Sequence, residues 1–194
     1  MDEAVVILQA RMGSNRLPGK VLRDLGGTPM LTYTMRTLGG LKGVDRVVLA
    51  TSELEQDDIL EDLALKMGVP CLRGPHEDVL HRFALASRRW PARWYLRATG
   101  DNPLVEPSHP PYLLRALAQS GADYCGIRGL PVGGALEAFS AEALHRCDRL
   151  ARTVPDREHV TLAMKQDGAH FRSIYLDAEE ALNAPGFLLT VDTE

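Results

Sequence analysis

Two hydrophobic patterns alternate along this chain: short continuous apolar runs, and segments in which apolar residues recur at helical spacing. Residues 4–8 form a continuous apolar run, which is typical of a strand that is buried on both faces. The run at 45–51 has the same character. In chain order, the predicted strands are 4–8, 45–51, 69–72, 93–99, 122–126, 171–176 and 187–191.

Between these runs, apolar residues recur at helical spacing. Leu31, Met35 and Leu38 stand at i, i+4 and i+7 behind a Thr-Pro pair that supplies an N-cap and a first-turn proline. Ser52 is the expected cap of the next helix. The remaining helices are predicted around Ile59, Leu63 and Met67, and at 78–87, 112–119, 140–150 and 156–166.

The order of these elements predicts the fold class. Strands and helices alternate over the first two thirds of the chain, which indicates right-handed βαβ units and a mostly parallel sheet. The glycine-rich segment 129–138 has no usable period, so no element is assigned there. In a parallel sheet, ligands bind at the carboxyl ends of the strands. Three predicted strand ends carry polar candidates, namely the loop 9–20, Asp101 and Asp192.

The loop QARMGSNRLPGK, residues 9–20, combines three cations with two glycines. Arg11 and Arg16 can each clamp phosphate oxygens with two hydrogen bonds, and Lys20 acts as a mobile point charge. The glycines let a phosphate approach backbone N–H groups. The spacing is neither GxxxxGK[ST] nor GxGxxG, which excludes the Walker and dinucleotide sites. A surface loop with solvated arginines is the alternative, but the position behind a buried strand favours a triphosphate.

Asp101 and Asp192 each follow a predicted strand. Either residue alone could simply cap a turn. At neighbouring strand ends, however, the two carboxylates could share one Mg²⁺, which takes one or two carboxylates together with water and phosphate oxygens. A metal ion facing the cationic loop would hold a nucleoside triphosphate between them.

Composition narrows the class of protein. The 194 residues fit one domain, and a net charge of −4 without any run of five Lys or Arg argues against a nucleic-acid partner. The three cysteines are far apart and form no CxxC pair, which argues against a disulfide framework and structural zinc and leads us to expect a cytoplasmic protein. No apolar run approaches the length of a membrane span or a signal peptide, so no membrane association is expected.

Several motifs occur in an order that resembles a known family. They are QARMGSNRLPGKVL, LRGPHEDVLHRF, RATGDNPLVEP, ADYCG, PVGGALEAFSAEAL, DREHVT and LTVDT. The chain resembles the cytidylyltransferases that activate acidic sugars, and above all the spore coat polysaccharide biosynthesis protein F branch, related to CMP-Kdo and CMP-sialate synthetases. The resemblance implies a three-layer αβα, glycosyltransferase-A-like and Rossmann-like fold in a single domain, 1–194. It also implies CTP, Mg²⁺, a sugar substrate and a homodimer, with CMP transferred to an acidic sugar for surface or spore-coat polysaccharide.

The resemblance also assigns roles to residues. Its nucleotide-binding positions match Ala10, Arg11, Gly13, Ser14, Arg16, Lys20, Arg73 and Asp78. Its metal positions match Asp101 and Asp192, and its sugar-side positions match Glu137 and the triplet Arg157, Glu158 and His159. The residues expected to carry catalysis are Lys20, Arg11 and Asp101. His159 is a candidate general base, although a lone helical histidine is more often structural.

The chain departs from this family in two respects. Val132 and Ala135 stand where the branch usually has an arginine and an aspartate that would face the acceptor, so the acceptor specificity of the branch is not carried over. The family also usually continues past the position of Glu194 with a proline and an acidic helix. Two other functions stay open: a glycosyltransferase, although Asp101-Asn102-Pro103 lacks an Asp-x-Asp pair, and a nucleotide-binding paralogue without turnover.

Overall fold

The computed structural model describes residues 2–14 and 16–192. Within them, seven strands form one sheet. They are β1 (Asp2–Gln9), β2 (Arg46–Ser52), β3 (Cys71–Gly74), β4 (Ala92–Thr99), β5 (Tyr124–Arg128), β6 (Glu137–Ser140) and β7 (Ser173–Asp177). The strand order is β3-β2-β1-β4-β6-β5-β7, and β6 runs antiparallel to both of its neighbours while the other pairings are parallel. The predicted, mostly parallel α/β sheet is confirmed.

Helices cover both faces of the sheet. They are α1 (Met30–Gly39), α2 (Asp58–Lys66), α3 (Val79–Arg89), α4 (Pro110–Ser120), α5 (Ala141–Leu150), α6 (Val154–Glu158) and α7 (Leu162–Gln166). Among the described residues, no helix combines the length and the apolar character that crossing a bilayer requires.

Alternation along β1 divides the core into two layers. Val6 and Leu8 are fully buried against apolar residues of α1, α2 and α4 on one face of the sheet. Val5 and Ile7 are buried on the other face, where α3, α5 and α7 pack. Because successive strand side chains point to opposite faces, a continuous apolar run serves both layers. The structure therefore has the predicted three-layer αβα arrangement.

Two predicted late elements are wrong. Residues 187–191 form no strand, and only Leu188 makes an isolated bridge, to Val132. Phe187 and Leu188 are about 70% exposed (69% and 72%), so this apolar run does not enter the sheet core. The segment 156–166 is two short helices instead of one, because the chain turns at Val160, whose φ of 37° is left-handed.

Two further local predictions fail, and a segment without an assigned element contains part of a strand. The glycine-rich segment 129–138 contains the start of β6, which apolar periodicity could not reveal in so short a strand. In α2, Leu60 and Ala64 face the core and Ile59 is 51% exposed, so the buried stripe is rotated from the predicted one. Ser52 ends β2 and its hydroxyl donates to Asp57, so it does not cap α2.

Candidate active site

The carboxyl edge of the sheet holds a cavity of about 650 Å³. Its wall is built by the loop after β1, the first turn of α3, the end of β4 and the segment that precedes residue 193. Of the predicted site residues, those that line it include Ala10, Arg11, Gly13, Ser14, Arg16, Lys20, Asp101, His159 and Asp192. The structure thus brings the predicted phosphate loop and both predicted metal carboxylates to one place.

The loop after β1 is held by its backbone. The N–H of Met12 donates to Oδ1 of the fully buried Asp57 at 2.7 Å, and the Met12 carbonyl accepts from the N–H groups of Ser14 and Gly19, both at 3.0 Å. Gly19 has a φ of 68°, which a side chain would disfavour. The loop therefore folds back on Met12 and delivers Lys20 over the cavity.

Lys20 is the electrostatic centre of the site. Its Nζ donates to Asp101 Oδ2 and to Asp192 Oδ1, both at 2.6 Å, and Arg16 Nη2 lies 2.9 Å from the other oxygen of Asp192. Burial opposes the charge on Asp101, but the hydrogen bonds from Lys20 and Thr99 outweigh it and lower the pKa of this carboxyl. Asp101 is therefore ionised at neutral pH.

Asp192 reaches Lys20 by a different route from the predicted one. It does not follow a strand; instead, the segment before it is tied down by backbone hydrogen bonds. Val132 N–H donates to the Phe187 carbonyl at 2.9 Å, and Val191 N–H donates to the Asp101 carbonyl at 2.9 Å. These bonds carry Asp192 to the carboxyl end of β4, opposite Asp101.

The two carboxylates fit the donor set of Mg²⁺. Asp101 and Asp192 each direct one oxygen at the same cation, the Lys20 ammonium, so they already converge on one positive charge. No group of three or more His, Cys, Asp or Glu able to hold a metal occurs in the part of the chain that the structure describes. A Mg²⁺ bound here would therefore complete its coordination with water and phosphate oxygens, as this ion commonly does.

Three further charged residues line the cavity: Glu158, which the resemblance placed on the sugar side, and Arg82 and Arg97, which were not predicted. Glu158 Oε1 lies 3.5 Å from Arg11 Nη2. Arg82 is 1% exposed, and its Nη1 donates to the carbonyls of Pro75 and His76 at 2.5 and 2.8 Å. Burial and the charge of Arg11 lower the pKa of Arg82 to about 10. The sequence contained a feature that could have identified Arg82, because this arginine interrupts the apolar stripe of α3.

A second cavity, of about 390 Å³, adjoins the first. The two share wall residues at the end of β4 and in the glycine-rich segment, among them Arg97, Asn102 and Val132. Ala135 and Glu137 also line the second cavity. The two positions at which the chain departs from the family pattern, Val132 and Ala135, thus both line this second cavity.

Glu137 lies at the centre of a hydrogen-bonded cluster. Its Oε1 accepts from Tyr124 and Lys165 at 2.8 and 2.9 Å, and its Oε2 accepts from Arg97 and Thr161 at 2.8 and 2.9 Å. Burial opposes ionisation of Glu137, but the charges of Arg97 and Lys165 exceed that effect and lower its pKa to about 2. Both carboxylate oxygens are thus already engaged.

Three predicted residues line neither cavity among the described residues. Arg73 Nη1 pairs with Asp58 at 2.5 Å and with Glu61 at 3.1 Å, which ties β3 to α2. Asp78 caps α3 by accepting from His81 N–H at 2.8 Å. Arg157 Nη1 lies 2.7 Å from Asp148 and 3.3 Å from Asp78. In this structure Arg73 connects β3 with α2, and Arg157 connects α6 with Asp148 of α5 and with Asp78 at the start of α3.

Comparison with known proteins places these features in a family. The family model described as "Cytidylyltransferase" matches residues 5–190. The spore coat polysaccharide biosynthesis protein SpsF of Bacillus subtilis is 38% identical over 200 residues, which cover 100% of this chain and 83% of that protein. The 3-deoxy-manno-octulosonate cytidylyltransferase of Escherichia coli is 28% identical, over 88% of this chain and 63% of the relative.

A solved structure supports the same grouping. The cytidylyltransferase of Leptospira borgpetersenii superposes with a TM-score of 0.91 at 28% identity, covering 98% of this chain and 82% of the other. The range matched by the family model contains every cavity residue described above except Asp192.

Proposed function

The chain belongs to the cytidylyltransferase family, and from this premise we propose that it transfers CMP from CTP to an acidic sugar and releases pyrophosphate. The observation that carries the proposal is the cationic loop folded against two carboxylates. Lys20, Arg16, Asp101 and Asp192 form one ion-paired cluster within a cavity of about 650 Å³. The nucleotide-activated sugar would serve the synthesis of a surface or spore-coat polysaccharide.

In this proposal the loop holds the phosphates that leave. Arg11, Arg16 and Lys20 contact the β- and γ-phosphates, and backbone N–H groups near Gly13 approach the nucleotide. A sugar hydroxyl oxygen forms a bond to the α-phosphorus while the bond to pyrophosphate breaks with its electron pair. The hydroxyl proton leaves to water or to His159, which lines the cavity. The protein acts mainly by positioning these groups and neutralising charge.

Asp101 and Asp192 would hold Mg²⁺ in the active complex. The ion would supply positive charge to the phosphate oxygens. Each loop cation faces a carboxylate of the protein: Arg11 faces Glu158, and Lys20 with Arg16 faces the aspartates. Triphosphate binding is therefore an exchange of partners, in which phosphate oxygens replace carboxylate oxygens around the same cations.

The second cavity is the proposed acceptor site. The relative from Escherichia coli is named for an eight-carbon acidic sugar, which supports an acidic acceptor here. Val132 and Ala135 make part of this wall apolar, so the acceptor recognised here presents a less polar edge at that point than the branch pattern accommodates. We further propose that the enzyme is a homodimer in the cytoplasm, where its three free cysteines stay reduced.

The first experiment is calorimetric titration of CTP, UTP, ATP and GTP with Mg²⁺ into the wild type and Lys20→Ala. Selective CTP binding that is lost in Lys20→Ala supports the proposal, and preference for another triphosphate removes the CMP-sugar assignment. Pyrophosphate release is then measured with a panel of sugar acids. Binding of CTP without release from any of them would favour the paralogue without turnover, and binding of nucleotide-sugars alone would favour a glycosyltransferase.

A further inference from the structure

The face of the sheet that α3 and α5 cover becomes polar at the carboxyl edge. In β1, Gln9 follows the buried Ile7 on this face, and in β4, Arg97 follows the buried Tyr95. In the antiparallel β6, Glu137 precedes the buried Phe139. Side chains two residues apart in a strand share a face, so these polar groups continue apolar rows past the point where the helices cover them.

Among Gln9, Arg97 and Glu137, the three polar residues on this face, Arg97 is the cation, and its orientation is fixed. Its Nε donates to Gln9 Oε1 at 3.0 Å, and its Nη1 donates to Glu137 Oε2 at 2.8 Å. The lowered pKa keeps Glu137 charged over the whole physiological range. The Arg97 side chain is 16% exposed, so the guanidinium is held from two sides and still borders open space.

The position of Arg97 between the cavities is unusual among the cations of the site. It lines both the nucleotide cavity and the proposed acceptor cavity. Arg11, Arg16 and Lys20 line only the first of these. The α-phosphoryl group is the part of the reactants that belongs to both sites, since it is bonded to pyrophosphate before transfer and to the sugar oxygen afterwards.

We propose that Arg97 binds the α-phosphoryl group during transfer, with Nη2 donating to a non-bridging oxygen. The proposal rests on the proposed function and adds a catalytic residue to it. As the sugar oxygen attacks and pyrophosphate leaves with the electron pair of the broken bond, negative charge on the non-bridging oxygens faces a donor that is already oriented. Donors fixed in this way stabilise a transition state without reorganisation.

This assignment also changes the role of Glu137. Its two oxygens together accept four hydrogen bonds, so the carboxylate has little capacity left for a sugar hydroxyl. Glu137 is therefore a positioning residue, which holds Arg97 against the transferred phosphate, and Gln9 shares this task from β1.

The first test compares the binding of CMP and cytidine, which differ by the α-phosphate alone. Calorimetry is run on the wild type, on Arg97→Gln and on Arg93→Gln, a control on the same strand whose side chain is 58% exposed and lies over Trp94. We expect the ratio of CMP to cytidine affinity to fall about tenfold or more in Arg97→Gln, since charge-assisted hydrogen bonds are the strong ones. Cytidine and inorganic tripolyphosphate should bind Arg97→Gln as they bind the wild type.

The second test measures turnover with the two α-thio diastereomers of CTP. Sulfur in place of the oxygen that Arg97 contacts should slow the wild type and the Arg93→Gln control, and Arg97→Gln should lose this sensitivity. Glu137→Gln should keep part of it, because the amide oxygen can still accept from Arg97. A merely structural arginine would not produce a diastereomer-specific effect.

The outcomes separate this proposal from the proposed function. An unchanged ratio of CMP to cytidine affinity in Arg97→Gln overturns the α-phosphate contact, whether or not turnover is found. If Arg97→Gln raised the KM for the acceptor and left kcat unchanged, the α-phosphate contact would be overturned in favour of a contact between Arg97 and the acceptor. If the wild type binds CTP but releases no pyrophosphate with any sugar acid, the proposed function fails while the CMP comparison still decides the contact.

Discussion

At the scale of single residues, burial distinguishes two of the three cations of the loop, Lys20 and Arg16. The Lys20 side chain is 11% exposed and bonds two carboxylates, whereas the Arg16 side chain is 68% exposed and bonds one. Exposed ion pairs contribute little because water screens them and the long side chains lose entropy. Lys20 should therefore contribute more than Arg16 to holding a triphosphate.

Replacing Lys20 by alanine should lower kcat/KM by the equivalent of about 2–4 kcal/mol, the usual effect of losing one preorganised electrostatic contact. Steady-state pyrophosphate release measures this change. Lys42→Ala is the matched control, because Lys42 is exposed in the connection between α1 and β2. A Lys20→Ala enzyme that folds and turns over at the wild-type rate would remove Lys20 from the mechanism.

Gly100 offers a steric test of the site. A Cβ at this position would lie 2.9 Å from Ala10 Cβ and 3.3 Å from the Gln9 carbonyl oxygen. Both neighbours belong to the chain that leaves β1, so Gly100→Ala should push the loop away from β4 and cost about 1–3 kcal/mol of unfolding free energy. Urea unfolding and CTP titration should both detect the change.

Gly39→Ala is the control for this substitution, because a Cβ added to Gly39, at the end of α1, would meet no heavy atom within 4 Å. It should be neutral or slightly stabilising. Equal effects of the two substitutions would contradict the steric argument.

At the scale of elements, Arg73, which was predicted to bind the nucleotide, connects a strand to a helix. Arg73 leaves β3 and makes ion pairs with two carboxylates, at Asp58 and Glu61, while its other nitrogens donate to the carbonyls of Ser52 and Leu54 at 2.8 Å. An arginine has enough donors to satisfy all of these partners at once. Arg73 therefore fastens the edge strand β3 to α2 and to the segment that follows β2.

Replacing Arg73 by alanine should reduce the unfolding free energy by about 1–2 kcal/mol, through the lost hydrogen bonds to carbonyls and the partly screened ion pairs. CTP affinity should stay within a few fold of the wild type. Arg73→Lys, which keeps the charge but not the forked donors, should recover only part of the stability. A tenfold loss of CTP affinity without a loss of stability would instead place Arg73 at the nucleotide.

At the scale of the whole molecule, a chain with a net charge of −4 places five of its 22 Lys and Arg residues in the wall of one cavity at the carboxyl edge of the sheet. The edge holds the cavity proposed for the nucleotide and the adjoining cavity proposed for the acceptor, and Arg97, which pairs with Glu137, lines both. Because Glu137 accepts from residues of β4, β5 and α7 and from Thr161, its charge state affects the packing of several elements together.

Acid should destabilise the protein through Glu137. The folded protein lowers the pKa of this carboxyl from 4.5 to about 2, so its ionised form stabilises the folded state above about pH 4.5. That contribution should diminish as the pH falls from about 4.5 towards 2, and thermal unfolding measured across this range should show it. Glu137→Gln should be less stable than the wild type at neutral pH, and its stability should depend less on pH in the same range. If the stability of the variant fell with pH in parallel with that of the wild type, the assignment to Glu137 would be contradicted.

The sequence by itself determined the features that depend on local order. Strand and helix alternation predicted the α/β sheet, and the cationic loop behind the first buried strand predicted a cluster of cations at the ligand edge of that sheet. Asp101 was found because a carboxylate directly after a parallel strand must lie at the same edge. The strand alternation that placed Asp101 there could also have revealed Arg97, which lies on the same strand shortly before it.

Only the tertiary structure decided the features that depend on distant segments. Asp192 reaches Lys20 because backbone hydrogen bonds hold the segment that precedes it against Val132 and Asp101. Strand β6 pairs antiparallel with β4, and the carboxylate of Glu137 contacts cations from two elements, β4 and α7. Sequence position can bring Arg97 to the ligand edge, but only the fold shows that it lines both cavities and that, among the described residues, Arg73 lines neither. The physical reason is that a charged side chain acts on whatever the fold leaves within hydrogen-bonding distance, and those neighbours come from elsewhere in the chain.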